Sequence, residues 1–138
     1  MKALLKNPEN YLRTFETGYS PLIDACEKDL TEMSILLIEN GADVNFQESG
    51  QGWFPLMFAV SNNNDVIVRK ILEKECNVNL ADFDGNTCLH LATSSDNEVL
   101  VKYLLDKNAN KNVVNKDNES PLSIAKENED EYCIRLLS

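Results

Sequence analysis

The side chains able to do chemistry are few in this sequence. His90 is the single histidine among 138 residues, so any imidazole base or metal ligand must be that one. Cys88 stands two positions before it, in the order of a thiol–imidazole dyad. At the start of a helix, however, residues i and i+2 project in different directions, so the pair is not expected to meet. Zinc needs several ligands at compatible spacing, and Cys26, Cys76, Cys88 and Cys133 form no CxxC pair. Asp82 and Asp84 are the most suggestive carboxylate pair for acid–base work. There is no G-x-G-x-x-G and no G-x-x-x-x-G-K-[ST], so no phosphate cradle is signalled. Asn118-Glu119-Ser120 has the glycosylation pattern, but Pro121 follows and no export signal precedes it. These residues predict no enzyme, no cofactor and no metal.

Composition narrows the classes further. Apolar residues make up 43% and charged residues 26%, as in an ordinary soluble globular chain. No apolar run approaches the roughly 20 residues of a membrane span. The opening Met1-Lys2-Ala3-Leu4-Leu5-Lys6 turns polar too early for a signal-peptide core. Net charge is −10, from 23 acidic and 13 basic residues. Such a chain repels a phosphate backbone, so neither nucleic acid nor membrane is an expected partner. A basic protein surface is a permitted one. The cysteines lie 50, 12 and 45 residues apart, too sparse for a disulfide framework. They read as free buried thiols in a reducing cytosol, with the nucleus also allowed. Seventeen asparagines are many for this length and suggest an AT-rich genome.

The elements that must position these residues repeat. Gly18-Tyr19-Ser20-Pro21-Leu22-Ile23-Asp24-Ala25 aligns with Gly52-Trp53-Phe54-Pro55-Leu56-Met57-Phe58-Ala59. Gly85-Asn86-Thr87-Cys88-Leu89-His90-Leu91-Ala92 and Asn118-Glu119-Ser120-Pro121-Leu122-Ser123-Ile124-Ala125 follow. The alanines step by 34, 33 and 33 residues, and Leu37, Ile71, Leu104 and Leu137 each stand 12 later. Asn45, Asn79 and Asn112 come 8 after the first three of those. Proline suits a first helical turn, where its missing N–H has no partner to lose. Ser20 and Thr87 suit the N-cap before it. The second helix of each unit is more apolar, as in Val66-Ile67-Val68 with Ile71-Leu72. A lone helix pair cannot cover such stripes, whereas stacked pairs bury them against one another.

The pattern resembles the ankyrin repeat, most closely in Thr87-Cys88-Leu89-His90-Leu91-Ala92 and Asn40-Gly41-Ala42-Asp43-Val44-Asn45. The resemblance covers about residues 15–138. It implies an all-α solenoid of stacked helix-turn-helix units with projecting hairpin loops. Repeats would occupy 15–48, 49–81, 82–114 and a shorter, acidic, capping 115–138. Residues 1–14 would form an N-terminal cap or leader helix. The departures are Cys88 for the motif proline, Asn118 for the turn glycine, and Asp29, Asn63, Asp96 and Glu129 for the glycine after the first helix. Asn accepts the left-handed backbone such turns require. The resemblance also gives His90 a structural hydrogen bond to neighbouring turn backbone, and Asp82 a turn-forming role.

A partner would then meet the hairpin tips and the concave face of the first helices. The matching variable positions include Tyr19, Glu27, Trp53, Ser61, Asn62, Phe83, Asp84, Asn86, Ser94 and Ser95. Beyond these, the same logic names Glu16, Thr17, Lys28, Gly50, Gln51, Lys116, Asp117, Glu119, Glu127 and Asn128. Tyr19 and Trp53 hold one repeat position, with Phe83 on the following tip. Two readings of these aromatics stay open: anchors for a partly basic, partly apolar ligand, or side chains packed between neighbouring tips. The chain is expected to be a monomeric, non-catalytic protein–protein interaction scaffold. The alternative is a regulatory or targeting domain of a larger enzyme, effector or channel. A third reading is a substrate for asparagine hydroxylation at Asn45, Asn79 and Asn112.

Overall fold

The computed structural model describes residues 18–138. The expected cap at 1–14, together with Glu16 and Thr17, lies outside the described residues. Eight helices run through the rest: α1 Pro21–Glu27, α2 Thr31–Glu39, α3 Pro55–Ser61, α4 Asp65–Leu72, α5 Cys88–Ser94, α6 Glu98–Asp106, α7 Pro121–Glu127 and α8 Glu131–Leu137. No strand occurs among the described residues, so the all-α expectation stands.

Local chemistry sets where each first helix begins. Ser20 Oγ accepts the Ile23 N–H at 3.2 Å, and Ser120 Oγ accepts that of Ser123 at 3.1 Å. Each satisfies an amide that the first turn leaves without a carbonyl. Pro21, Pro55 and Pro121 follow as the first helical residues, and Cys88 fills that place in α5. Phe54 occupies the cap position of α3 and makes no capping bond; it is fully buried instead.

The four landmark alanines mark where those helices stop. Their carbonyls accept the N–H five residues on: Leu30 to Ala25 and Asn64 to Ala59 at 2.9 Å, Asn97 to Ala92 at 3.1 Å, Asp130 to Ala125 at 3.0 Å. This closure requires a left-handed residue just before the donor. Asp29, Asn63, Asp96 and Glu129 supply it, with φ of 58, 54, 53 and 56°. Three of the four are Asx residues, which tolerate that region better than other side chains. The second helices then start on polar caps at Asn64, Asn97 and Asp130, whereas Leu30 caps α2 with no side-chain bond.

The chain divides into two compact units at Cys76 and Asn77. In the first, α1 packs on α2 and α3, and α4 packs on both α2 and α3. Its core includes Leu22, Ile23, Leu37, Ile38, Leu56, Met57, Ile67 and Ile71, each at most 2% exposed. In the second, α5 packs on α6 and α7, and α8 packs on both α6 and α7. There Leu89, Leu100, Leu104, Ala125 and Leu137 are buried. Burying one Leu or Ile in this way contributes about 1.5–3 kcal/mol. The alanines at 25, 59, 92 and 125 are buried too, their small side chains allowing neighbouring helices to approach.

The exit from the second helix varies. After α2, Gly41 is left-handed at φ 90° and Ala42 N–H reaches Leu37 O at 3.0 Å. After α6, Asn108 takes the same role at φ 66°, with Ala109 N–H on Leu104 O at 3.0 Å. Glu75 at the matching place after α4 does not turn left-handed; Lys74 N–H bonds Ile71 O and Cys76 N–H bonds Lys74 O. Of the four free thiols, Cys26, Cys88 and Cys133 are buried as expected, and Cys76 on this altered exit is only half-buried. Burial pushes the Cys26, Cys76 and Cys133 thiols up to about 12, so none is a thiolate nucleophile at neutral pH.

Candidate functional site

Three hairpin loops project between successive repeats, and each closes on one backbone bond. Glu48 N–H donates to Trp53 O at 2.8 Å, Asp82 to Asn86 O at 2.9 Å and Asn115 to Glu119 O at 3.0 Å. The side chain of the first residue then gathers the amides inside. Asp82 Oδ1 accepts from Asp84 and Asn86, both at 2.9 Å, and Asn115 Oδ1 accepts from Asp117 and Glu119, both at 2.9 Å. Asp82 is therefore buried in turn formation, while Asp84 beside it is exposed.

The first loop is one residue longer, spanning 48–53 against 82–86 and 115–119. Glutamate replaces the shorter acceptor there and reaches further: its carboxylate accepts the N–H groups of Gly50, Gln51 and Trp53, the last two at 2.7 and 3.0 Å. Burial alone would raise the Glu48 carboxyl, but the amides of Trp53, Gln51 and Gly50 outweigh it and hold the group below its usual range.

His90 ties one repeat to the next. Its Nδ1 accepts the Thr87 N–H at 3.1 Å, and its Nε2 lies 3.0 Å from Glu119 O. A carbonyl can only accept, so Nε2 carries the proton. The ring is 1% exposed and both nitrogens are engaged, which leaves no lone pair for a metal or a substrate.

Asparagines do similar work. Asn62 Nδ2 donates to Cys26 O at 2.9 Å, closing the end of α1, and Asn128 repeats the move on Thr93 O at 3.3 Å. Asn64 reaches Asp29 Oδ1 and Thr31 Oγ1, each at 2.8 Å. Asn45 Nδ2 donates to Glu75 O at 2.9 Å, while Asn79 Oδ1 accepts from Asn110 N–H at 2.7 Å. Asn86 Oδ1 accepts from Asn115 Nδ2 at 2.9 Å. Two of the expected partner-contacting residues, Asn62 and Asn86, thus already serve the fold.

The other expected contact residues divide by exposure. Glu27, Ser61, Phe83, Asp84, Ser94 and Ser95 are exposed, while Tyr19 and Trp53 are half-buried. In the first unit, the Trp53 ring meets Phe58 edge to face, with centroids 5.1 Å apart and planes at 63°. Phe58 lies on α3 and is itself half-buried; the sequence reading missed it, although it follows Trp53 by only five positions. Tyr19 feels the charges of Glu27, Glu48 and Asp24, which, after burial, raise its phenol. In the second unit, Phe83 stands 52% exposed beside a tip where Lys116 N–H donates to Asp84 O at 2.9 Å.

The comparisons with known proteins agree with this architecture. The sequence matches the family described as ankyrin repeats (3 copies) over residues 22–115 and again over 56–138. It is similar to a putative ankyrin repeat protein of Acanthamoeba polyphaga mimivirus, at 31% identity over 65% of this chain and 12% of the relative. The mouse B-cell lymphoma 3 protein homolog is 35% identical over 59% of this chain and 18% of its own length. A rat ankyrin repeat and SAM domain-containing protein is 35% identical over 54% of this chain and 8% of its own length. The chain therefore spans less than a fifth of each of these three relatives. With the repeat period, the helix pairs and these matches in agreement, the chain belongs to the ankyrin repeat family.

Proposed function

We propose that this chain is a non-catalytic scaffold that binds a partner protein through its hairpin tips and the inner face of its first helices. Ankyrin repeats are protein–protein interaction modules, and the family is generally non-catalytic. The observation that carries the reading is the division of labour among polar side chains. Those at the loop bases and helix junctions are engaged by backbone, whereas Glu27, Ser61, Asp84, Ser94 and Ser95 stay exposed, as does the Phe83 ring next to Asp84. The acidic balance of −10 favours a partner with a basic surface. We read the scaffold as a cytoplasmic monomer; light scattering and fractionation test those two points.

Affinity capture from a native lysate tests the binding itself. The control is a Tyr19→Ala, Trp53→Ala, Phe83→Ala chain, run beside Phe83→Ala alone because that ring is exposed and its removal spares the core. A specific partner should be retained by the wild type and lost by the triple variant. Equal retention by both would overturn the assignment of the binding surface.

A second reading has its own support. The relatives are far longer than this chain, so the repeats would act as a regulatory or targeting domain within a larger protein. Reading the encoding gene for an in-frame stop after Ser138 separates the two.

A further inference from the structure

We propose that the Asn40–Gly41 step at the end of α2 is a self-modification site, where the asparagine amide is lost as ammonia and the last helical turn sets the rate. It stands independently of the protein-binding reading above.

Sequence singles the pair out. Among the seventeen asparagines, only Asn40 is followed by glycine. A residue with no side chain offers its nitrogen to the preceding Cγ with the least hindrance, and adopts the backbone angles of a closing ring without strain. The other second-helix exits lack the pair: Lys74-Glu75 stands after α4 and Lys107-Asn108 after α6. Asn40 and Gly41 are both exposed. Nothing beyond Gly41's own chain neighbours lies within 4 Å of where its β-carbon would stand, so a ring has room to form.

The step balances with water as the only co-reactant. The Gly41 nitrogen bonds to Asn40 Cγ and gives up its proton, and Nδ2 leaves as ammonia. Water then opens the cyclic imide at either carbonyl, which leaves aspartate or isoaspartate at position 40.

The fold holds both reacting groups. Gly41 N–H donates to Ile38 O at 3.1 Å, and Asn40 Nδ2 donates to Leu36 O at 2.7 Å. Ala42 N–H, on Leu37 O at 3.0 Å, closes the same turn. Attack requires these bonds to open, so the rate follows the population of the opened turn. The product does not restore the turn. A carboxylate has no proton to donate to Leu36 O, and its charge joins that of Glu39 at the negative end of α2. Isoaspartate also adds a methylene to the main chain, which takes Gly41 and Ala42 out of register with their carbonyls. The reaction is a one-way loosening of the first repeat.

The test incubates the full chain at neutral pH and physiological temperature, and peptide mapping by mass spectrometry locates each amide-to-acid conversion. A free peptide of residues 36–45 gives the ungated rate. Asn40 should convert before any other asparagine, and at least about tenfold more slowly than in the peptide. Ile38→Val trims a buried side chain in the gating turn and should speed conversion about fivefold. Ile124→Val makes the same change in the second unit and should leave the rate unaltered. Asn40→Asp, the direct product, should unfold at lower denaturant when followed by Trp53 emission. Conversion at another asparagine first, no conversion at Asn40, or a rate equal to the peptide's would each overturn the inference. So would equal effects of the two valine variants, or an unchanged midpoint in Asn40→Asp.

Discussion

His90 Nε2 and the carbonyl oxygen of Glu119, 29 positions further on, share a 3.0 Å hydrogen bond in which the imidazole donates. Because Nδ1 on the same ring accepts from Thr87 N–H, the bond pattern holds only for the neutral ring. Burial lowers His90's affinity for a proton below the ordinary 6.5, against the opposing pull of the Glu119 carbonyl and the charges of Glu119 and Asp82. The unfolded chain therefore takes up this proton at higher pH than the folded one. Its contribution to stability is complete above about pH 6.5 and is lost as pH falls through the folded value. The melting temperature should drop between about pH 7.5 and about pH 5.5, and the drop should flatten in His90→Asn. An unchanged slope would assign the pH dependence to other groups, since there is no second histidine.

Replacing His90 by Ala removes an acceptor from Thr87 N–H and a donor from Glu119 O. Each stranded buried group costs about 1–3 kcal/mol, so denaturant unfolding should show a loss of roughly 2–4 kcal/mol. A loss under about 1 kcal/mol would mean that water replaces the ring.

Glu48 is matched to a loop one residue longer than its counterparts. Glu48→Asp should therefore fail to restore the pattern that aspartate supports at position 82. The expected penalty is about 1–2 kcal/mol, with Glu48→Ala costing more, because hydrogen bonds to a charged acceptor are worth roughly 1.5–3 kcal/mol. If Asp serves as well as Glu, loop length does not dictate the choice.

Glu129 is the one non-Asx residue held left-handed at a helix junction, with φ 56°. Glu129→Gly should raise stability by up to about 1 kcal/mol, since the left-handed region costs an L-residue about 1–2 kcal/mol and glycine's unfolded freedom takes some of that back. The same change at Asn63 should yield less. Chemical denaturation of both variants compares the two positions directly.

Trp53→Ala should keep its helical circular dichroism at room temperature and still unfold earlier in denaturant. The edge-to-face pair with Phe58 is worth about 0.5–1.5 kcal/mol beyond the area buried. The Phe58 contact runs to its own repeat's helix α3, so it is neither the partner anchor nor the packing between neighbouring tips that the sequence left open for this ring. No stability change at all would return the ring to the role of a bare surface anchor.

Much of this fold was legible because its landmarks answer to local rules. Pro21 and Ser20 announce a helix start, and Ala25 with Leu37 announces a buried stripe, all within a dozen or so residues. The bonding roles of several asparagines were not legible, for the same reason. Asn62, Asn64 and Asn79 bond to groups roughly 30 or more residues away in sequence, which no short window displays. The Trp53–Phe58 contact was hidden because it joins a loop tip to a helix interior position, and spacing by five corresponds to no regular element. The altered exit at Glu75 follows from the absence of Gly or Asn there, a departure visible in the sequence but not its outcome.

The division at Cys76 has a practical corollary. The lone indole reports from one half of the molecule and the lone imidazole from the other. Emission at Trp53 and a proton resonance at His90 can therefore be followed together in one unlabelled sample. Coincident curves would mean that the halves melt as a single cooperative body, and separated curves would give the order in which they come apart.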